Sequence, residues 1–380
     1  DRQLYIFVKK YTQSSYSNLT LQYINESKTP FFISFYLSIR KYIRTFSFIF
    51  FSIFVKLFSK NKLYKSSSSL ILITTHILNK EHIKFAKKEY IDRYYPDIFN
   101  YLNKSIQDKM VFVPGFPGGP KNHLKLIKKL KQSNINFLLK EDFLKISDYF
   151  FSLSCSLRLL LCKPNKTIFR GVEITSLVKS ELISFSFDYK LIESVLNYRF
   201  VYRLNKKKLD ISMFIDWYEN HMSSKGFMLG FNKFMPHVDT IGYQGIIDSA
   251  IKKINLHPTI FERKSGLLPK FFYVIGKKLV RDFKEFDDSI NVLVGPSFRY
   301  NYLWSEKKIN KDQKEFTILV ALPIFQIEAK SILNLIFESL QILPRNLPLK
   351  IRVKFHPTHN QSKIDETSLI DDNRVEYING

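Results

Sequence analysis

Ile211-Ser212-Met213-Phe214-Ile215-Asp216-Trp217-Tyr218-Glu219-Asn220-His221 starts as an apolar run of strand length and ends in a polar turn. A short apolar run of this kind suits a strand covered on both faces. Its polar end then lies where open α/β sheets bind ligands, outside the carboxyl ends of parallel strands. The same switch recurs downstream. Thr240-Ile241-Gly242-Tyr243 runs into Gln244-Gly245, Phe271-Phe272-Tyr273-Val274-Ile275 into Gly276 and a basic helix, and Val292-Leu293-Val294 into Gly295. Upstream, Leu70–Thr74, Met110–Val113 and Ile135–Leu139 read as strands. Helical patterns cover Glu81–Tyr90, His123–Lys131, Phe143–Leu161 and Lys225–Phe234, and residues 169–200 read as a less regular insert. Strands alternating with helices predict βαβ units around a parallel sheet.

A polar, lysine-rich stretch from Tyr300 to Glu315 then suits a linker. Beyond it the alternation restarts with Phe316–Leu322, a helix over Glu328–Gln341, Leu349–Phe355 and a strand near Val375. The expected fold is α/β and GT-B-like: two Rossmann-like domains facing across a cleft, the C-terminal one incomplete. The expected division is an N-terminal region at 1–65, a first Rossmann-like (acceptor) domain at 66–300, and the start of a second (donor) domain at 316–380. The chain opens on Asp1 and stops at Gly380 just past a strand, so the sequence is expected to be a fragment.

A length of 380 residues exceeds what one core usually organises. Hydrophobic residues at 45% and charged ones at 24% exclude a disordered, collagenous or multi-span membrane chain. Cys155 and Cys162 supply neither a disulfide framework nor a metal site, and both are expected to be buried small hydrophobes. The net charge of +25 is spread through lysines beside abundant Phe, Tyr, Ile and Asn, with no zinc-finger spacing, RNA-recognition signature or arginine-rich arm. No specific nucleic acid is therefore expected as a partner. Phe31–Phe58 is the most apolar segment, but Arg40, Lys41, Arg44 and Lys56 interrupt it before it reaches spanning length. It suits either a helix lying on an anionic membrane surface or one packed against the protein.

The Pro114–Pro120 loop is glycine-rich but matches neither dinucleotide nor P-loop spacing. A structural turn is the simpler reading. Glu219, at a strand's carboxyl end, is a candidate general base, with Asn220 and His221 orienting an acceptor and Tyr243 and Gln244 converging from the next strand. An alcohol nucleophile at neutral pH needs such a proton acceptor. Glu173, in Arg170-Gly171-Val172-Glu173, is a second candidate base or half of a surface pair. Lys354, His356 and His359 lie at another strand's end and suit a pyrophosphate, and Arg299 is positioned to clamp one. No spacing supplies a zinc site.

Together with Leu256-His257-Pro258, Gly266-Leu267-Leu268-Pro269 and Val274-Ile275-Gly276-Lys277, the Ile215–Asn220 and Gly242–Gly245 segments resemble bacterial surface-carbohydrate (O-antigen or capsule) biosynthesis proteins with a GT-B-type glycosyltransferase fold. Lys354-Phe355-His356-Pro357 resembles the K-x-H-P element of capsule glycosyltransferases and polyglycerol-phosphate polymerases. The resemblance implies a nucleotide-activated sugar as donor substrate, a lipid-linked or glycan acceptor, no cofactor, no metal, and a cytoplasmic place of work, at the membrane's inner face. It assigns Glu219 or Glu173 as base and Lys354, His356 and Arg299 to the leaving phosphate. A polyol-phosphate (CDP-glycerol-type) transferase and a non-catalytic scaffold of the same machinery remain open readings. His221-Met222-Ser223-Ser224 and Gln244 depart from the family's usual residues.

Overall fold

The computed structural model describes residues 31–58, 69–77, 83–84, 89–90, 92–116, 123–133, 135–169, 171–186, 188–247, 257–304, 316–323, 326–356 and 370–378. The chain divides into two compact units between Trp304 and Ser305.

In the first unit, β1 (Leu70–His76), β2 (Met110–Gly115), β3 (Ile211–Trp217), β4 (Asp239–Gln244), β5 (Phe271–Val274) and β6 (Val292–Val294) form one sheet in the order β6-β5-β4-β3-β1-β2. Every pairing in it is parallel. Ile135–Leu139 contributes a single parallel bridge, Phe112 to Phe137, outside β2. Parallel sheets need cover on both faces, and both are covered. On one face Leu72, Val111 and Phe214 pack against α5 (Tyr189–Lys206) and α6 (Met222–Phe234) through Leu196, Phe200, Phe227 and Phe231. On the other, Ile73, Met110 and Phe112 meet Leu126 and Leu130 of α2 (His123–Gln132), together with Tyr95, Trp217 and Tyr243. Helices α5 and α6 approach closely because α6 carries glycine at 226 and 230. A Cβ at Gly226 would sit 1.8 Å from the Ser194 carbonyl oxygen, and one at Gly230 2.8 Å from Val201 Cβ.

Four local expectations are corrected. Ile83–Lys84 and Glu89–Tyr90, expected as helix, pair as antiparallel strands, with Ile83 opposite Tyr90 and Lys84 opposite Glu89. The supposedly irregular insert holds α4 (Thr175–Ser186) and most of α5. Asp188 starts α5 by accepting a hydrogen bond from Lys190 N at 2.8 Å, and Ile192, Leu196, Phe200 and Leu204 form its buried stripe. The helix expected over Phe143–Leu161 is interrupted: Lys140–Phe143 ends before Leu144 turns extended, and α3 (Ile146–Leu161) starts afresh where Asp148 Oδ2 accepts from Lys145 N at 2.7 Å. Cys155 is half-buried and Cys162 exposed, because α3 ends at Cys162 beyond its packed turns.

The N-terminal helix, α1 (Phe31–Phe58), lies along the first unit. Thr45, Ile49, Ser52 and Val55 point inward, Ser52 Oγ is hydrogen-bonded to Tyr149 OH at 2.8 Å, and Lys41 pairs with Asp188 at 3.4 Å. No described helix is long and apolar enough to cross a membrane.

Among the described residues the second unit holds a three-stranded parallel sheet, β7 (Phe316–Ala321), β8 (Leu349–Lys354) and β9 (Val375–Ile378), in the order β7-β8-β9, with α7 (Gln326–Ile342) as the crossover. Ala329, Leu333 and Leu340 of α7 close its core over Leu349, Ile351 and Val353. Each unit is thus α/β and Rossmann-like.

Candidate active site at the carboxyl ends of β1 and β3

The strand order of the first unit reverses at β1: the chain goes outward to β2, then returns across the sheet to β3 on the other side. A crevice opens at such a switch point, between the carboxyl ends of the two diverging strands. Here those ends are His76 on β1 and the Asp216–His221 segment on β3. Thr74 ties the strands together, its hydroxyl donating to Asp216 Oδ1 at 2.6 Å and accepting from Trp217 N at 3.1 Å.

Beyond Trp217 the chain must turn from strand to helix within a few residues. Asn220 makes that turn with φ 52, in the left-handed region that asparagine tolerates. Its amide is engaged in holding the turn: Oδ1 accepts from Tyr218 OH at 3.0 Å and Lys225 Nζ at 2.7 Å, and Nδ2 donates to the His257 carbonyl at 3.3 Å. Lys225 also pairs with Glu262. The turn brings His221, the N-cap of α6, back against Glu219, with Nε2 3.0 Å from Oε2. The other carboxylate oxygen, Oε1, accepts from Trp217 Nε1 at 2.6 Å. Burial pushes the Glu219 carboxyl up, but the hydrogen bonds from His221 and Trp217 outweigh it and hold it below its ordinary value. Glu219 is consequently ionised at neutral pH, with its side chain 28% exposed and that of His221 53% exposed.

Around this pair the fold adds residues that strand-end reading did not single out. His76 ends β1, and its Nδ1 lies 2.7 Å from where a Cβ on Gly115 would stand, so only glycine at 115 leaves room for the ring. Burial holds its pKa down, reinforced by Lys140 and His221 and opposed by Glu193 and Glu219. Tyr94 bridges the two sides, its ring edge-on to His76 at 5.7 Å and to Trp217 at 4.5 Å between centroids. Lys140 is buried, donating to Asn197 Oδ1 at 2.8 Å and pairing with Glu193 at 3.4 Å. His76 was findable by the rule that found Glu219, because it is the last residue of an apolar strand. Lys140 carries no local signal; its partners come more than fifty residues later in the chain.

Asp216 is fully buried, and burial raises its carboxyl to about 6 against the hydrogen bonds of Thr74 and Ser224. A raised carboxyl disfavours the ionised native state, so the cost is absent below the ordinary value near 4, grows as the pH rises from about 4 to about 6, and stays at its full size above that. Asp216→Asn is therefore expected to stabilise the protein by on the order of 2–3 kcal/mol above pH 7. Thermal melts should show no gain at pH 4. A gain that is the same at both pH values would attribute it to packing rather than charge.

The other expected site residues are placed as follows. Tyr243 is a core residue, packed with Tyr95, Trp217 and Phe298, and its hydroxyl donates to the Pro296 carbonyl at 2.8 Å; burial pushes it up to about 12. That corrects its expected place at an acceptor surface. Gln244 is buried as well, with Nε2 3.5 Å from the Ile246 carbonyl. Arg299 sits on the helical turn Phe298–Trp304, within electrostatic reach of Tyr94. Glu173 lies on an exposed hairpin, Ile168–Phe169 with Val172–Glu173, and among the described residues no hydrogen bond or ion pair links it to Glu219. In the second unit Lys354 is exposed at the carboxyl end of the central strand β8, and His356 follows half-buried after Phe355, whose ring stacks on Tyr377 at 5.6 Å. His359 and the Pro117–Pro120 part of the glycine-rich loop lie outside the described residues, as do Arg170 and Leu256.

No known protein family and no curated protein sequence matches the chain. Among solved structures it is similar to the S. aureus MnaA–UDP co-structure, at 12% identity over 82% of this chain and 68% of that one, with a TM-score of 0.37. It is similar to the same degree, TM-score 0.37, to α,α-trehalose 6-phosphate synthase from Burkholderia multivorans, at 8% identity over 83% of this chain and 72% of that one. A carboxylate pinned on both oxygens is poorly placed to take a proton from substrate and well placed to orient an imidazole and stabilise its cation. His221 is the more exposed member of the pair.

Proposed function

We propose that the protein is a glycosyltransferase-like enzyme of bacterial surface-polysaccharide biosynthesis that moves a sugar from a nucleotide-activated donor to a hydroxyl of a lipid-linked or glycan acceptor. The observation that carries the reading is the Glu219–His221 pair, fixed by Trp217 at the switch point of a parallel sheet. In the reaction the acceptor oxygen attacks the anomeric carbon, its proton passes to His221 Nδ1, and the glycosyl–phosphate bond breaks with its electron pair leaving on the nucleotide phosphate. Glu219 stabilises the imidazolium that results. Lys354 and His356, at the carboxyl end of β8, are assigned to the phosphate, where charge develops in the transition state. Arg299 and His359 are assigned the same role. The motif resemblance of Lys354–Pro357 supports that assignment.

The test is transfer from a panel of nucleotide sugars and CDP-polyols to membrane lipid extracts, followed by mass spectrometry of the products. A glycosylated lipid or glycan from one nucleotide sugar is the expected result. Product from a CDP-polyol alone would move the reading to a polyol-phosphate transferase. No product from any donor, with no nucleotide binding by calorimetry, would overturn it in favour of a non-catalytic partner.

A further inference from the structure

Among the described residues, helix α1 packs along one side and carries a second, exposed apolar stripe. The inner face holds Thr45, Ile49, Ser52 and Val55 against the first unit. The outer face carries Ile39, Ile43, Phe46, Phe50 and Leu57, spaced three, four and seven apart so that they form one stripe. Ile43, Phe46, Phe50 and Leu57 are 61, 56, 75 and 64% exposed. The helix cannot roll this stripe inward. Ser52 is hydrogen-bonded to Tyr149, Lys41 is paired with Asp188, and the Arg44 guanidinium lies 4.1 Å from the centre of the Tyr189 ring.

The neighbouring helix α3, which supplies Tyr149, repeats the arrangement. Tyr149, Ser152 and Ser156 are buried, while Phe150, Leu157 and Leu161 form an exposed stripe seven and four residues apart. Charge separates the possible occupants. No Asp or Glu occurs between Phe31 and Phe58 or between Tyr149 and Val172, whereas the exposed cations Arg40, Arg158, Lys163 and Lys166 lie in or beside the two helices. Two helices with aromatic and aliphatic side chains outward, cations alongside and no acid in either span match the interface of an anionic bilayer, where rings sink to the acyl boundary and cations meet headgroups.

We propose that the outer stripes of α1 and α3 form a surface that docks the protein flat on an anionic lipid bilayer. The proposal stands independently of the transferase reading. It is tested by flotation of the full chain with vesicles of phosphatidylcholine alone and of phosphatidylcholine mixed with an equal part of phosphatidylglycerol. The protein is expected to float with the mixed vesicles and to stay behind with the neutral ones. Phe46→Glu with Phe50→Glu should lower the partition coefficient by at least about tenfold, the scale set by burying a large apolar side chain. Phe150→Glu with Leu157→Glu should lower it likewise. Because these side chains face solvent, melting temperatures should stay at the wild-type value, which separates lost docking from lost folding. Wild-type protein left in the aqueous fraction overturns the proposal, as does wild-type flotation by either variant. So does a solution dimer that Phe46→Glu with Phe50→Glu dissociates while no vesicle is bound, since the stripe would then be a contact between copies.

Discussion

Replacing His221 with Ala is expected to lower transfer by about 10²–10⁴-fold, the range that a positioned general base contributes. The side chain is 53% exposed, so its loss leaves the core untouched and the melting temperature near wild type. Glu219→Gln should fall in the same direction by less. The amide oxygen can still accept from Trp217, but no negative charge remains to stabilise the imidazolium. The pair acts as one device, so the double variant should be no slower than His221→Ala alone. Steady-state rates of the four proteins with the active donor make the measurement. If Glu219→Gln is the slower single variant, and His221→Ala nearly normal, the proton goes to the carboxylate and the roles exchange.

That exchange of roles shows where sequence reading stops. Strand β3 and its polar end were legible because burial on both faces forces a continuous apolar run, and because strand ends face the crevice in any parallel sheet. Glu219 and His221 were therefore found together. Which of them is pinned was not legible, since it depends on the indole of Trp217 folding over two residues and on the left-handed turn at Asn220. Tyr243 and Gln244 obeyed the same strand-end rule and are nevertheless buried, because Tyr95 and Phe298 arrive from distant segments to cover them. Helix α5 was missed for a related reason. Its polar positions include Glu193, Asn197, Arg199 and Arg203, which blur the apolar stripe, and each is used in a contact with another helix or with Lys140.

Asp148→Ala is expected to destabilise the fold by about 3–5 kcal/mol, the cost of breaking a buried ion pair and stranding its partners. The Asp148 side chain is fully buried at the start of α3 and accepts from Lys145 N at 2.7 Å, Arg199 Nε at 2.7 Å, and Arg203 Nε and Nη2 at 2.8 and 2.9 Å. It fastens α3 to α5, the helix whose Glu193 and Asn197 hold Lys140 beside His76. Burial pushes the carboxyl up, but the hydrogen bonds from Arg203, Lys145 N and Arg199 prevail and hold it below its ordinary value. For an acid lowered in this way the stabilisation is complete above about pH 4 and is lost as the pH falls through the folded value. The pH dependence is thus opposite in sign to that at Asp216. Denaturant titrations should show the Asp148→Ala deficit in full at pH 7 and shrinking toward pH 2. Replacing all three charges, Asp148→Leu with Arg199→Met and Arg203→Met, should recover most of the loss, because no charge is then left stranded. A triple variant as unstable as Asp148→Ala would mean that the hydrogen bonds to Asp148, and not the uncompensated guanidinium groups, carry the difference.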